Sequence, residues 1–306
     1  VSYAEKIDAP KVRARSEKFF DHFSQAALFW NSQSHPEKAH IMQALRFELG
    51  KVEVPAIRER MVGLLAQVDK TLAGFVAQGL GLTVPAKLDT PMNMSVPADG
   101  NVRQFQPRRL APSMQRSPAL SMANTRTDSI ATRKIAILAA DGVDEAALSG
   151  MKKALAAAGA QAKVVAPRLG VLKSASGAKV PVDFSFLTAG SVLFDAMYIP
   201  GGEQSVEVLK GDAKALVFVD EAYLHCKTIA ATDAGVQLLL AAHLGQDKKA
   251  KSHAEGVMQD DSKLLTADEG IITGRGPHIG QVAGKFIKAM TQHRHWDREA
   301  KGQVPA

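Results

Sequence analysis

The sequence predicts an α/β protein: a doubly wound parallel sheet preceded by a small α-helical segment and a long extended linker. Beyond Arg133, short continuous apolar runs alternate with helical patterns, as strands buried on both faces between helix layers require. Before Thr83 the apolar residues recur instead at intervals of three and four. Between the two, from Val84 to Thr132, lie six of the fourteen prolines. A length of 306 residues favours two domains, since domains run about 100 to 200 residues. The expected divisions are 1–83 (helical segment), 84–132 (linker), 133–296 (α/β domain) and 297–306 (polar tail).

In the helical segment, Phe19, Phe20, Phe23, Ala26, Ala27 and Trp30 form one stripe, which predicts a helix from Arg15 to Trp30. Ser34 followed by Glu37 is a capping box opening a second helix, with Ile41, Met42, Leu45 and Leu49 buried and Gly50 suited to a left-handed stop. Pro55 suits the first position of a third helix, and Asp69 restarts a further set of turns through Leu72, Phe75 and Val76.

In the linker, Pro85, Pro91, Pro97, Pro107, Pro112 and Pro118 recur through Ser-, Asn- and Met-rich sequence with no sustained period. It is expected to be extended, to hold few internal contacts and to cross a surface as a tether or an arm.

The α/β domain opens with Lys134-Ile-Ala-Ile-Leu-Ala139, a helix from about Asp144 to Ala158 ending at Gly159, and Ala162-Lys-Val-Val-Ala166, which is a β-α-β unit. Further strands are expected at Ala196 to Ile199, Thr228 to Ala231 and Gly270 to Thr273, with helices near Ser205 to Leu224, Gly235 to Ala242 and Ile279 to Met290. The result is a flavodoxin-like sheet whose site belongs at the carboxyl ends of its strands.

Composition narrows the function. With 46% hydrophobic and 23% charged residues, wholesale disorder is excluded. No run approaches the roughly 18 apolar residues of a membrane span, and the first thirty residues lack the apolar core of a signal peptide, so a cytoplasmic protein with no membrane partner is expected. A single cysteine, Cys226, rules out an internal disulfide framework. The net charge of +7 permits anion binding, but Lys87, Arg103, Arg108, Arg109, Arg116 and Arg126 outnumber Asp89, Asp99 and Asp128 within the linker, where Phe105 is the lone aromatic. Without an ordered basic face and stacking aromatics, no nucleic-acid partner is expected.

The most site-like stretch is Ile229-Ala-Ala-Thr-Asp-Ala-Gly235, a strand turning sharply into a helix in the manner of a nucleophile elbow, with Asp233 presented and Thr232 before it. Read without a functional role, Asp233 is a helix cap whose pKa the N-terminal amides lower. Gly201, Gly202 and Glu203 end another strand, and Gly274 and Arg275 close the last; all are candidate linings of the same crevice. The acidic first turn, Ala140-Asp-Gly-Val-Asp-Glu145, disfavours a dinucleotide pyrophosphate. His225 and Cys226, adjacent on an extended segment, would point apart, so Cys226 reads as a structural thiol. His293 and His295 read as a solvated helix terminus rather than a metal pair. No catalytic set and no metal site emerge.

The stretch Lys11-Val-Arg-Ala-Arg-Ser-Glu-Lys-Phe19, Asp21-His-Phe-Ser-Gln-Ala26, Leu28-Phe-Trp-Asn-Ser32, Glu37-Lys-Ala-His40 and Arg46-Phe-Glu-Leu-Gly-Lys-Val52 resembles the end of the haem domain and the helical segment of large-subunit (clade 2, hydroperoxidase II-like) catalases. After a linker these carry a class I glutamine amidotransferase-like domain, which residues 133–296 resemble in order and motif. The resemblance implies a parent that dismutates hydrogen peroxide at haem in a homotetramer, with haem-binding and catalytic residues outside this chain and no cofactor within it. Active relatives of the amidotransferase-like domain place a cysteine where this chain has Asp233 and an acidic residue after the first strand, matched here to Ala147. Both replacements imply a catalytically silent domain that contacts the haem domain and neighbouring subunits and shapes channel access. Two alternatives are a holdase-like binding module and a hydrolase or deglycase using the elbow.

Overall fold

A computed structural model gives the fold of this protein and describes residues 3–6, 8, 16–88, 90–96, 98, 100–108, 114–125, 127–242, 251–252, 255–256 and 265–298. Asp89, Pro97, Asp99, Arg109, Pro112 and Arg126 of the linker, residues 299–306 of the tail and Lys11 to Arg15 lie outside these. The chain divides into two compact units, Val1–Thr125 and Arg126–Pro305. No helix among the described residues is long and apolar enough to cross a membrane.

Among its described residues the first unit has four α-helices, α1 (Ser24–Ser32), α2 (His35–Gly50), α3 (Pro55–Val68) and α4 (Lys70–Gly79). Trp30, Leu49, Val62, Leu72, Val76 and Ala77 form its core, with Ile41, Met42 and Leu45 packed at the edge. The stripe expected to run from Arg15 to Trp30 is interrupted. Glu17–Phe20 is a separate 3-10 turn, because the Asp21 carboxylate accepts the Ser24 N–H at 3.1 Å and starts α1 afresh. Phe19 is consequently left 53% exposed. The capping box at Ser34 and Glu37 and the cap at Asp69 form as expected. Gly50 makes no left-handed stop: it is the last residue of α2, and Lys51 follows in the right-handed region.

The linker is more tied down than its composition suggests. Val102–Phe105, Pro118–Leu120 and Met122–Asn124 are 3-10 turns. Glu37 anchors one stretch: its Oε2 accepts from the Ser34 N–H and the hydroxyls of Ser34 and Ser121, while Oε1 accepts the Met122 N–H at 2.7 Å. Burial pushes this carboxyl up, but the hydrogen bonds outweigh it and hold its pKa below the ordinary value. Gln33 donates to the Leu120 carbonyl, Arg116 to that of Asn31, and the Arg108 N–H to that of Phe20.

Among its described residues the second unit has nine strands: β1 (Lys134–Leu138), β2 (Gln161–Ala166), β3 (Val171–Lys173), β4 (Lys179–Pro181), β5 (Phe184–Ser185), β6 (Ala196–Ile199), β7 (Thr228–Thr232), β8 (Leu265–Asp268) and β9 (Ile271–Gly274). Seven form one sheet in the order β5-β2-β1-β6-β7-β9-β8, parallel throughout except that edge strand β8 runs antiparallel to β9. Alternate residues of the strands enter two cores. Ile135 and Ile137 pack with Leu148, Met151 and Leu155 of α5 (Glu145–Ala157) and with Val282 and Phe286 of α9 (Ile279–Met290). Ala136, Leu138, Met197 and Ile199 face α6 (Glu203–Lys210), α7 (Ala213–Leu224) and α8 (Gly235–Ala241). Helices therefore cover both faces, as a doubly wound sheet requires.

Several elements depart from the sequence reading, among them edge strand β8, which was not expected. The helix expected near Ser205 to Leu224 is two helices, because the Asp212 carboxylate accepts the Lys214 N–H at 2.9 Å and caps α7 anew. The antiparallel β3–β4 hairpin, with β5, occupies a stretch in which no element was expected.

Candidate functional site

Four parallel strands end side by side and deliver the candidate residues together. β1 leads into Asp141 to Asp144, β6 into Gly201, Gly202 and Glu203, β7 into Thr232 and Asp233, and β9 into Gly274 and Arg275, with Thr232 in register with Gly274. In the order above, the sequence in which strands are added reverses between β1 and β6, the switch point at which open α/β sheets bind ligands.

The elbow is present in backbone geometry. Asp233 has φ +48, and its N–H donates to the Gly274 carbonyl at 3.0 Å. A Cβ on Gly235 would lie 2.5 Å from the Ile199 carbonyl, so glycine is what lets α8 start against β6. The carboxylate, however, does not cap α8. Its Oδ2 accepts the Gly276 N–H at 2.7 Å, and no side chain caps the helix. Burial pushes the Asp233 carboxyl above its ordinary pKa; the Gly276 N–H opposes this, Asp144 adds to it, and Arg275 opposes it. The lowered pKa expected of a helix cap is thus reversed.

Asp144 is the residue the sequence reading missed. It caps α5 by accepting the Ala147 N–H at 3.1 Å, and its own N–H donates to the Gly201 carbonyl at 2.9 Å. Its other oxygen faces the elbow: a Cβ on Gly276 would lie 2.5 Å from Asp233 Oδ2 and 3.3 Å from Asp144 Oδ2. Ala147, matched by resemblance to the acidic position, is buried in α5 and brings nothing to the site. The available signal was the placement of an aspartate one residue before the first helix after the first strand.

Beneath the carboxyl pair, the Tyr198 hydroxyl and Thr232 Oγ1 are 2.8 Å apart and buried. Burial holds the Tyr198 phenol well above its ordinary pKa, so it stays neutral. Gly202 has φ +109, and a Cβ there would meet the Gly142 carbonyl at 2.3 Å, so the loops after β1 and β6 are latched backbone to backbone. Gly201 and Gly274 are buried, Arg275 is half-buried, and Glu203 opens α6 exposed to solvent. A half-buried carboxyl with a raised pKa beside a second carboxyl and a neutral phenol can hold a proton, but it is a poor nucleophile.

The thiol lies elsewhere. Cys226 is buried at the amino end of β7, where His225 and Cys226 occupy the turn that ends α7, not an extended segment. His295 is likewise no solvated terminus. It is 9% exposed, its Nε2 is 3.0 Å from Thr228 Oγ1, and its backbone N–H donates to the Cys226 carbonyl at 2.8 Å. Burial drives its pKa down to about 4, and Arg298 adds to the effect. Beside it, burial lowers Lys227 to about 8, with Nζ donating to the Ser191 carbonyl at 2.5 Å. Among the described residues no group of three or more His, Cys, Asp or Glu side chains is able to hold a metal ion.

Tyr198 is sealed in the core against Thr232, Tyr3 is 87% exposed, and the ring of Tyr223 carries the Arg298 guanidinium at 5.3 Å.

Residues 131–300 match the family described as the C-terminal domain found in long catalases, and residues 16–80 match the catalase-related immune-responsive family. The chain is 35% identical to Catalase-2 of Bacillus subtilis over 97% of its own length and 37% of that protein's. It is 37% identical to Catalase HPII of Mycobacterium avium over 99% of this chain and 39% of the relative, and 38% identical to Catalase HPII of Pseudomonas putida over 100% and 37%. The chain thus spans well under half the length of these relatives. A matched region that takes in the whole sheet, together with relatives that align along nearly the entire chain, places this protein in the family of the C-terminal domain of long catalases.

Proposed function

We propose that this chain is the C-terminal portion of a large-subunit catalase and serves it as a non-catalytic scaffold. The haem and the chemistry of peroxide dismutation belong to the remainder of the parent protein. The helical segment and linker lie against that body, and the α/β domain braces the oligomer and shapes access to the channel. The observation that carries this reading is the state of the elbow. Its presented side chain is a carboxyl held by the Gly276 N–H, and the adjoining loops are latched at Gly202. The sharp turn is kept while the reactive group is not.

The test uses the purified 306-residue chain. After incubation with haem it is expected to show no stoichiometric Soret band and no peroxide turnover, and removal of these residues from the parent is expected to weaken the oligomer. Haem uptake with turnover overturns the reading, as does hydrolytic activity abolished by Asp233→Ala. One observation favours a holdase-like second reading: Leu187 and Val192, 75% and 83% exposed, lie beside an apolar groove lined by Phe186, Val217 and Phe218. Suppression of a client's thermal aggregation by this chain, lost on Leu187→Ser, would favour that reading over a purely architectural one.

A further inference from the structure

The β3–β4 hairpin carries an electrostatic arrangement that hairpins ordinarily avoid. In its antiparallel register Lys173 stands directly opposite Lys179. The burial pattern puts Leu172 and Val180 inward and leaves both lysines exposed on the other face. Directly opposed side chains in such a pair have Cβ atoms about 5 Å apart, and like charges there are unfavourable. A third cation stands close by. Arg168 is fixed by the Asp141 carboxylate at 3.1 Å and by the Val171 carbonyl at 3.2 Å. The acidic first turn disfavours a pyrophosphate at the start of α5, which Asp144 caps, but on the hairpin side Asp141 is committed, since its Oδ1 accepts the Lys173 backbone N–H at 2.8 Å. One carboxylate therefore faces three cations, leaving an excess of two positive charges.

These four residues line one cleft of about 780 Å³, together with Gly142 and Gln204, beyond the carboxyl ends of β1 and β2. The volume lies within the range of small-molecule sites, about 300 to 1,000 Å³. The hairpin is also pre-formed over it: the Gly142 N–H donates to the Lys173 carbonyl at 2.7 Å, and the Ala175 N–H to the Val143 carbonyl at 3.0 Å. We propose that this cleft binds a small phosphorylated molecule, its phosphate seated between Lys173, Lys179 and Arg168. A dianion there turns the lysine repulsion into two charge-assisted contacts and gives the guanidinium an oxyanion partner without breaking its hold on Asp141. The concave shape selects a small ligand over a nucleic-acid strand, which needs an open basic face.

The experiment titrates the full chain with ADP, inorganic phosphate and adenosine by calorimetry, with a short single-stranded oligonucleotide as a further probe. ADP and phosphate are expected to bind saturably, more weakly as salt is raised, and adenosine not at all. Lys179→Gln is expected to weaken ADP binding about tenfold, the loss of one charge-assisted contact. In the absence of ligand the same variant should unfold at or above the temperature of the parent, because it relieves the lysine pair. The proposal is overturned if neither phosphate probe saturates at millimolar concentration, if adenosine binds as well as ADP, or if the oligonucleotide binds more tightly than ADP. It also fails if Lys179→Gln leaves ADP binding unchanged or lowers the ligand-free unfolding temperature.

Discussion

Acidification should loosen the amino end of the sheet before it touches the rest of the domain, and His295 is the reason. Its ring is buried against Thr228, and its pKa is pushed down from 6.5 to about 4 by burial and then by Arg298. The folded state therefore keeps the imidazole neutral while the unfolded chain takes up a proton at about pH 6.5. Stability from this group is complete above about pH 6.5 and is withdrawn between about 6.5 and 4. At 1.36 kcal/mol per pKa unit the full loss is about 3 kcal/mol, of which about 2 kcal/mol has gone by pH 5. Lys227, at about 8, is protonated in both states below neutrality. Asp21, Glu37, Asp141 and Asp195, all held below their ordinary values, release their contributions at lower pH. Asp233, whose carboxyl burial raises, contributes in the opposite sense as pH falls, so the difference between the wild-type chain and His295→Gln isolates the imidazole. The assay is urea unfolding at pH 7, 6 and 5, with hydrogen exchange read at the amides of β7 and β9. The wild-type chain should lose about 2 kcal/mol more across this range than His295→Gln does. Equal slopes for the two proteins would refute the reasoning.

Two further outcomes follow from the packing. Gly202→Ala places a Cβ 2.3 Å from the Gly142 carbonyl at φ +109, so it should destabilise the second unit by about 3 kcal/mol in thermal or urea unfolding. Glu37→Ala removes the capping-box partner and the acceptor for Ser121 and Met122; the first unit should lose about 2 kcal/mol, and limited proteolysis should move to residues 117–125.

The parts of the fold that were legible in the sequence are those in which one local signal acts unopposed. The continuous apolar runs at β1, β2, β6, β7 and β9 could only be strands buried on both faces, and Ser34 with Glu37 announced α2. The failures share a cause. At Asp21 and at Asp212 a carboxylate captures a backbone N–H within three residues and restarts a helix, while the apolar period carries on through the break. The β3–β4 hairpin escaped because each strand is three residues long, too short for a period to register. Composition also misrepresented the linker. Proline and serine content carries no trace of the Asn93–Gln106 hydrogen bonds within it, nor of the carbonyls and the Glu37 carboxylate that hold it from outside. At the site, Asp233 was found by the elbow pattern and its electrostatics were inverted. A helix-cap role is a local inference, whereas the burial that raises Asp233 and the Asp144 carboxylate that adds to it come from the packing of other strands, and the Gly276 N–H, which opposes them, draws the carboxylate away from the helix.

That inversion bears on why a turn shaped for a nucleophile persists without one. The glycines that form the elbow answer to the sheet rather than to chemistry: Gly235 admits the Ile199 carbonyl, and Gly202 admits that of Gly142. Replacing either would separate neighbouring loops whatever side chain stood at position 233. The side chain itself is under a weaker constraint, because its surroundings require only an acceptor for the Gly276 N–H. Aspartate meets that requirement and tolerates φ +48 better than most residues do, since its short polar side chain makes local hydrogen bonds in the left-handed region. The backbone of the elbow is thus fixed by packing across β6, β7 and β9, whatever side chain it presents.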